Sequence, residues 1–202
     1  EEAIQAAKDF ADAPDRAIDY LKALLVHRPG DASLEEQIRR LLERQERWAE
    51  LIAVLRDRAR HEAKDVAART RLEIATLYVD KAQSPADALA EVKGLLADGH
   101  GSAEITSLLE RIAELELSAD LRRDALDLLR ARYAEEGRDD DVVRVLSASL
   151  EIADEGEKRT LHRDAATRLA QAGDVEGAFV HVTEALRLDP RDAGNRQLAR
   201  EV

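Results

Sequence analysis

The sequence predicts an all-α chain, a stack of antiparallel helix pairs with about 11–12 helices in its 202 residues. Three observations carry that prediction. Apolar residues recur at helical spacing almost everywhere, and strand-like alternation never persists. Helical segments of about 12–18 residues alternate with loops of about 2–5, and such short loops turn each helix back along its neighbour. One arrangement of small and apolar residues returns along the chain, and such self-similarity signals a repeat architecture.

The stripes are explicit. Leu34, Ile38, Leu41 and Leu42 make one; Leu51, Val54 and Leu55 the next; Leu72, Ala75 and Val79 a third. The apolar fraction of 45% is enough for a folded core, yet aromatic residues are only 3%, so Ala and Leu must supply the packing. Ala lets helices approach closely and Leu fills the gaps, which suits many short packed helices. The 9 Gly and 4 Pro allow few breaks in the chain, and where they fall is informative.

The clearest repeating unit runs from Thr160 to Pro190. Its first helix ends at Gly173, which tolerates a left-handed cap. Asp174 can cap the second helix, which presents Ala178, Val182, Ala185 and Leu186 on one face before Pro190 stops it. An earlier unit repeats the pattern with Pro14, Ala17, Leu21, Leu24, Leu25 and Pro29. Others carry Trp48, Leu51, Leu55 and Ala59, then Pro85, Ala88, Val92, Leu95 and Leu96, then Tyr133, Gly137, Val142, Leu146 and Leu150. The corresponding residues Ala17, Leu51, Ala88, Val142 and Ala178 stand 34, 37, 54 and 36 positions apart.

On these residues the chain resembles the tetratricopeptide repeat family, whose period is about 34. The resemblance covers nearly all of residues 1–202, read as a single array, and rests on Gly173-Asp174, Ala178, Val182, Ala185-Leu186 and Asp189-Pro190. It implies a right-handed superhelical α-solenoid. The 54-residue step departs from the pattern and holds an irregular extra helix, roughly Ser102 to Leu117. The Trp-Leu-Gly expected in a first helix is absent: His162, Ala165 and Ala166 stand there in the last unit, and Leu126, Leu129 and Arg130 in the one before. Glu1 to Ala11 reads as the tail of a first helix and Asp192 to Val202 as the opening of another, so a longer array or pairing between chains through the array ends is expected.

The resemblance also implies a concave groove, lined by the first helix of each pair, that holds a peptide or a helical segment of a partner protein. Carried over unit by unit, the groove positions are Glu36 and Arg40, Glu73 and Leu77, Asp127 and Ala131, and Arg163 and Thr167. Only Arg40 and Arg163 could join a clamp for an acidic tail. The net charge of -12 points instead to a basic or amphipathic partner segment.

The same acidity argues against nucleic acid and anionic membrane surfaces as partners. No apolar run approaches the roughly 20 residues that span a bilayer, and a cytoplasmic setting is expected. With 0 Cys there is neither disulfide nor thiolate chemistry. No phosphate loop, Gly-x-Ser-x-Gly or His-Glu-x-x-His motif occurs, so no enzyme activity, cofactor or metal is expected. His27, His61, His100, His162 and His181 are far apart in sequence, and His162 reads as a packed core residue. Asp139-Asp140-Asp141 opens a helix, where the dipole favours acid. The Arg56 to Arg60 stretch reads as a solvated, locally paired face. Trp48 reads as packing between two helices, with a binding hot spot as the alternative.

Overall fold

The computed structural model describes residues 13–202, which form eleven α-helices and, among the described residues, no strand. In chain order these are α1 (Pro14–His27), α2 (Ala32–Arg44), α3 (Trp48–His61), α4 (Lys64–Asp80), α5 (Pro85–Ala97) and α6 (Ala103–Ala113). Then follow α7 (Ala119–Glu135), α8 (Asp139–Ile152), α9 (Glu155–Ala172), α10 (Val175–Leu188) and α11 (Ala193–Glu201). The expected extra helix is α6, four residues shorter at its C-terminal end than the apolar pattern suggests. The reading of Glu1 to Ala11 lies outside the described residues.

Local chemistry places most of the boundaries. Pro14 and Pro85 sit in the first turns of α1 and α5, where a missing N–H costs nothing. Asp31, Ser118, Asp174 and Asp192 cap α2, α7, α10 and α11 by accepting hydrogen bonds from backbone N–H groups that the helix leaves unpaired. At α9, Asp154 and Glu157 each bind the other's backbone N–H, a complete capping box. Gly173 closes α9 in the left-handed conformation (φ +83°), with the Asp174 N–H donating to Leu169.

The chain divides into two compact units, Glu1–His100 and Gly101–Val202. In the first, α1 packs on α2, α2 on α3, α3 on α4 and α4 on α5. Its core is aliphatic and large: Ile18, Leu21, Leu34, Ile38, Leu42, Leu51, Ile52, Leu55 and Ile74 form one buried cluster. Trp48 lies half-buried against it with the Lys81 ammonium over its ring at 5.4 Å, so the packing reading of this Trp holds.

In the second unit each helix from α6 to α11 packs on the next. The α9–α10 hairpin makes the most extensive contact and is lined by Ala165, Ala166, Ala178, Ala185 and Val182, all fully buried. At the other end Tyr133 of α7 is buried and donates its hydroxyl hydrogen to Glu110 of α6 at 2.6 Å, beneath the Arg138 guanidinium. Burial and the adjoining carboxylate push its phenol up to about 12, so it stays a donor across the physiological range. That bond ties the extra helix into the stack.

In both units, sequential helix pairs bury their apolar faces only against neighbours along the chain. This is the defining property of a helical repeat, and the pair-and-loop order is tetratricopeptide-like.

Candidate protein-binding surfaces

Second neighbours along the chain are linked by charge. Lys22 of α1 donates to Glu50 of α3 at 2.6 Å, and Arg39 of α2 pairs with Glu73 of α4. Arg56 of α3 grips Glu91 of α5, whose side chain is only 14% exposed and which Arg71 of the adjacent α4 also binds. In the second unit Arg123 and Arg130 of α7 reach Glu157 and Asp164 of α9. Half-exposed pairs of this kind contribute about 0.2–1 kcal/mol each, so they set register more than stability.

The eight groove positions lie on α2, α4, α7 and α9. Glu36 and Arg40 are exposed and bonded to each other at 2.8 Å. Glu73 is drawn half-under by Arg39, and Leu77 packs onto the core cluster. Asp127 is paired with Arg130, while Ala131 is exposed. Arg163 is exposed, and the Thr167 hydroxyl donates back to the Arg163 carbonyl at 2.9 Å. In the first unit Glu73 is itself half of the Arg39–Glu73 bridge; in the second Asp127 shares Arg130 with Asp164. Most of their polar groups are occupied by neighbours.

The open concavity lies elsewhere. A cleft of about 1010 Å³ opens between α1, α2 and α3. Leu25 and Val26 of α1, Val54 and Leu55 of α3, and Ala32, Glu35, Glu36 and Arg39 of α2 line it. At the N-terminal end of α3, α1 and α3 are pinned by Asp15–Arg47 and Lys22–Glu50. The C-terminal half of α1 and most of the length of α3 from Glu50 onward line the cleft, and there Val26 is 78% exposed. Its charged rim carries Glu35, Glu36, Glu50, Asp57 and Glu62 against Lys22, Arg39 and Arg58. Of the eight groove positions, Glu36 alone lines it. Sequence reasoning missed the α1 and α3 walls because it assigned binding to the first helix of each pair. The available signal was the run Ala23-Leu24-Leu25-Val26, one residue too long for a single buried stripe.

The chemical motifs fall where helix electrostatics places them. Asp139 and Asp141 in the first turn of α8 pair with Arg168 and with Arg138 and Arg144. Arg56, Arg58 and Arg60 pair with Glu91, Glu62 and Asp57. Gly99 (φ +84°) ends α5 as a cap and turn. His162 and His181, by contrast, are not apart: their Nδ1 atoms meet at 3.0 Å across the α9–α10 hairpin. Separation in sequence misled here, because each imidazole stands three residues further from the hairpin loop than Ala165 and Ala178 and on the same buried faces. Among the described residues no group of three or more His, Cys, Asp or Glu could hold a metal ion. No helix among them is long and apolar enough to cross a membrane.

No family model matches the chain, and no curated protein matches it. Solved structures do. YrrB, a TPR protein with an unusual peptide-binding site, is 16% identical over 98% of this chain and 89% of its own, with a TM-score of 0.37. The TPR2AB domain of yeast Sti1 in its pHSP90 complex is 15% identical over 98% and 81%, with a TM-score of 0.37. MamA from Desulfovibrio magneticus RS-1 is 14% identical over 95% and 94%, with a TM-score of 0.34. At such identities and scores the architecture stands on this chain's own helix pairing.

Proposed function

We propose that this chain is a protein-interaction scaffold that holds an amphipathic, basic-flanked segment of a partner in the α1–α2–α3 cleft. The single observation behind this reading is the cleft itself, which leaves Val26 and neighbouring aliphatic groups open within a mainly acidic rim. An amphipathic helix buries its apolar face in such a groove while its basic flanks meet the rim carboxylates. The groove positions Glu36, Arg40, Glu73, Leu77, Asp127, Ala131, Arg163 and Thr167 remain a second proposed surface. Residues 1–202 then serve one scaffold.

The test uses fluorescent amphipathic peptides of equal apolar content with Lys/Arg or Asp/Glu flanks. Binding by anisotropy is compared between wild type, Val26→Glu with Ala53→Glu in the cleft, and Arg40→Glu with Arg163→Glu on the groove positions. The cleft residues chosen are exposed, so the fold is retained. The expected result is preference for basic flanks and about tenfold weaker binding by the cleft variant, which corresponds to roughly 1.4 kcal/mol. Equal binding by wild type and cleft variant removes the cleft reading, and a loss confined to the Arg variant moves the site to the groove positions.

A second reading, self-association, has its own observation. Val175, Phe179 and Val180 of α10 are each more than half exposed. Phe179 corresponds in the repeat to Ile18 and Ile52, which are buried. Concentration-dependent sedimentation abolished by Phe179→Glu supports this reading, and a monomer at every concentration removes it.

A further inference from the structure

We propose that His162 and His181 form a proton-sharing clasp across the α9–α10 hairpin, closed while the pair carries at most one extra proton and forced apart when both rings are charged. The geometry carries this. The two Nδ1 atoms are 3.0 Å apart while the ring centroids are 5.2 Å apart, tilted by 46°. The centroids are further apart than the nitrogens by nearly the two ring radii, so the rings meet end to end with their nitrogens aimed at one another. A metal held by both rings would instead require the two lone pairs to converge on a third point. End to end, one Nδ1 must donate and the other accept, so the two neutral imidazoles hold opposite tautomers.

The first added proton is tolerated, because an imidazolium Nδ1–H still donates to a neutral Nδ1. The second leaves two N–H groups and two positive charges facing each other at the same separation, and the rings must part. Such a pair titrates in two coupled steps rather than as two independent groups.

The surroundings oppose charging. Burial lowers both imidazoles from their ordinary range, and the neighbouring ring lowers His162 further. Glu184 of α10 acts in the opposite direction on His162, while Arg187 of α10 and Lys158 of α9 reinforce the lowering. On the packed elements, Asp139 of α8 is held by Arg168, and Asp192 ahead of α11 interacts with Arg159 and Arg163. Neither acts among the charges on the pair. The unfolded chain therefore takes up protons at a higher pH than the folded hairpin. The hairpin's stability is complete above the ordinary imidazole value of about 6.5 and declines as the pH falls through and below it.

The clasp is tested on the intact chain by histidine-selective nitrogen NMR and by hydrogen exchange between about pH 8 and pH 5. At neutral pH one of the two imidazoles is expected as the Nδ1–H tautomer and the other as Nε2–H, with His27 as an exposed reference. Both rings then titrate together in two steps. The second step brings about tenfold faster exchange in α9 and α10, after correction for intrinsic rates, and no matching change in α2 and α3. In His181→Leu the transition in α9 collapses to a single step with the acid-linked opening lost. If that variant does not fold, the wild-type tautomers and titration still decide. Two Nε2–H tautomers titrating independently, or α9–α10 protection that persists once both rings are charged, overturns the proposal.

Discussion

The α1–α3 region and the α9–α10 hairpin are built on the same repeat pattern yet use opposite packing chemistry. The first fills its contacts with Leu and Ile, at Ile18, Leu21, Ile38, Leu42, Leu51, Ile52 and Leu55. The second fills most of its contacts with alanine, at Ala165, Ala166, Ala178 and Ala185, beside Val182; the α1 counterpart of Ala178 is the one buried alanine there, Ala17. Large side chains hold helix axes apart, and between α1, α2 and α3 a cleft is left unfilled. Alanine lets the backbones close up and leaves no room beyond the one polar pair, His162–His181. Side-chain volume at a few repeat positions decides whether a unit offers a cleft or a sealed seam.

The comparison breaks most severely if the large core is truncated. Leu51 is fully buried in the cluster, and Leu51→Ala is expected to cost about 3 kcal/mol through lost burial and a residual cavity. Trp48, the only Trp, lies against that cluster, so denaturant unfolding followed by its fluorescence reports this unit. An unchanged midpoint would mean that α1–α3 relaxes to fill the space.

The sealed seam should fail in the opposite direction. Ala178→Leu adds volume where none is free and is expected to cost about 1–3 kcal/mol by overpacking. The same enlargement near the cleft, Ala53→Leu, meets open space and is expected to change stability by no more than about 0.5 kcal/mol. The two variants are compared by circular dichroism on thermal unfolding. Equal shifts would show that helix spacing does not distinguish the two regions.

Much of this was legible in the sequence, for local reasons. Helical periodicity, the Asp174 cap, Gly173 and the prolines all act within a few residues, and they located the helices and the extra α6. Ala178, Val182 and Ala185 were expected on a buried face and are buried. The candidate site was less legible. The groove positions followed from the family pattern, but their polar groups are largely engaged by partners such as Arg39 and Arg130, which the repeat register does not reveal. The cleft is formed jointly by α1, α2 and α3, so it depends on summed side-chain volumes across three elements rather than on a motif. His162 and His181 escaped notice because linear distance was weighed before the hairpin register.

The smallest effects concern the loops, where the two units again differ in how they meet one requirement. The turn between the helices of a pair needs one residue at positive φ. The second unit uses Gly137 (φ +69°) and Gly173 (φ +83°); the first uses Glu46 (φ +54°) and Gln83 (φ +52°). Around Glu46, Gly137 and Gly173 the motif is otherwise the same: Arg47 N–H donates to Leu42 at 2.9 Å, as Arg138 does to Tyr133 at 2.8 Å and Asp174 to Leu169 at 2.9 Å; after Gln83 the Ser84 N–H reaches one residue further, to Tyr78. A side chain in this conformation costs about 1 kcal/mol, partly offset in the unfolded state when glycine replaces it. Glu46→Gly is therefore expected to stabilise the first unit by about 0.5 kcal/mol and Gly173→Ala to destabilise the second by about 1 kcal/mol. Trp48 fluorescence reads the first and hydrogen exchange in α9 and α10 the second. The signs must be opposite. If both variants destabilise, Glu46 contributes something beyond its backbone angle, and the loops of the two units are not equivalent.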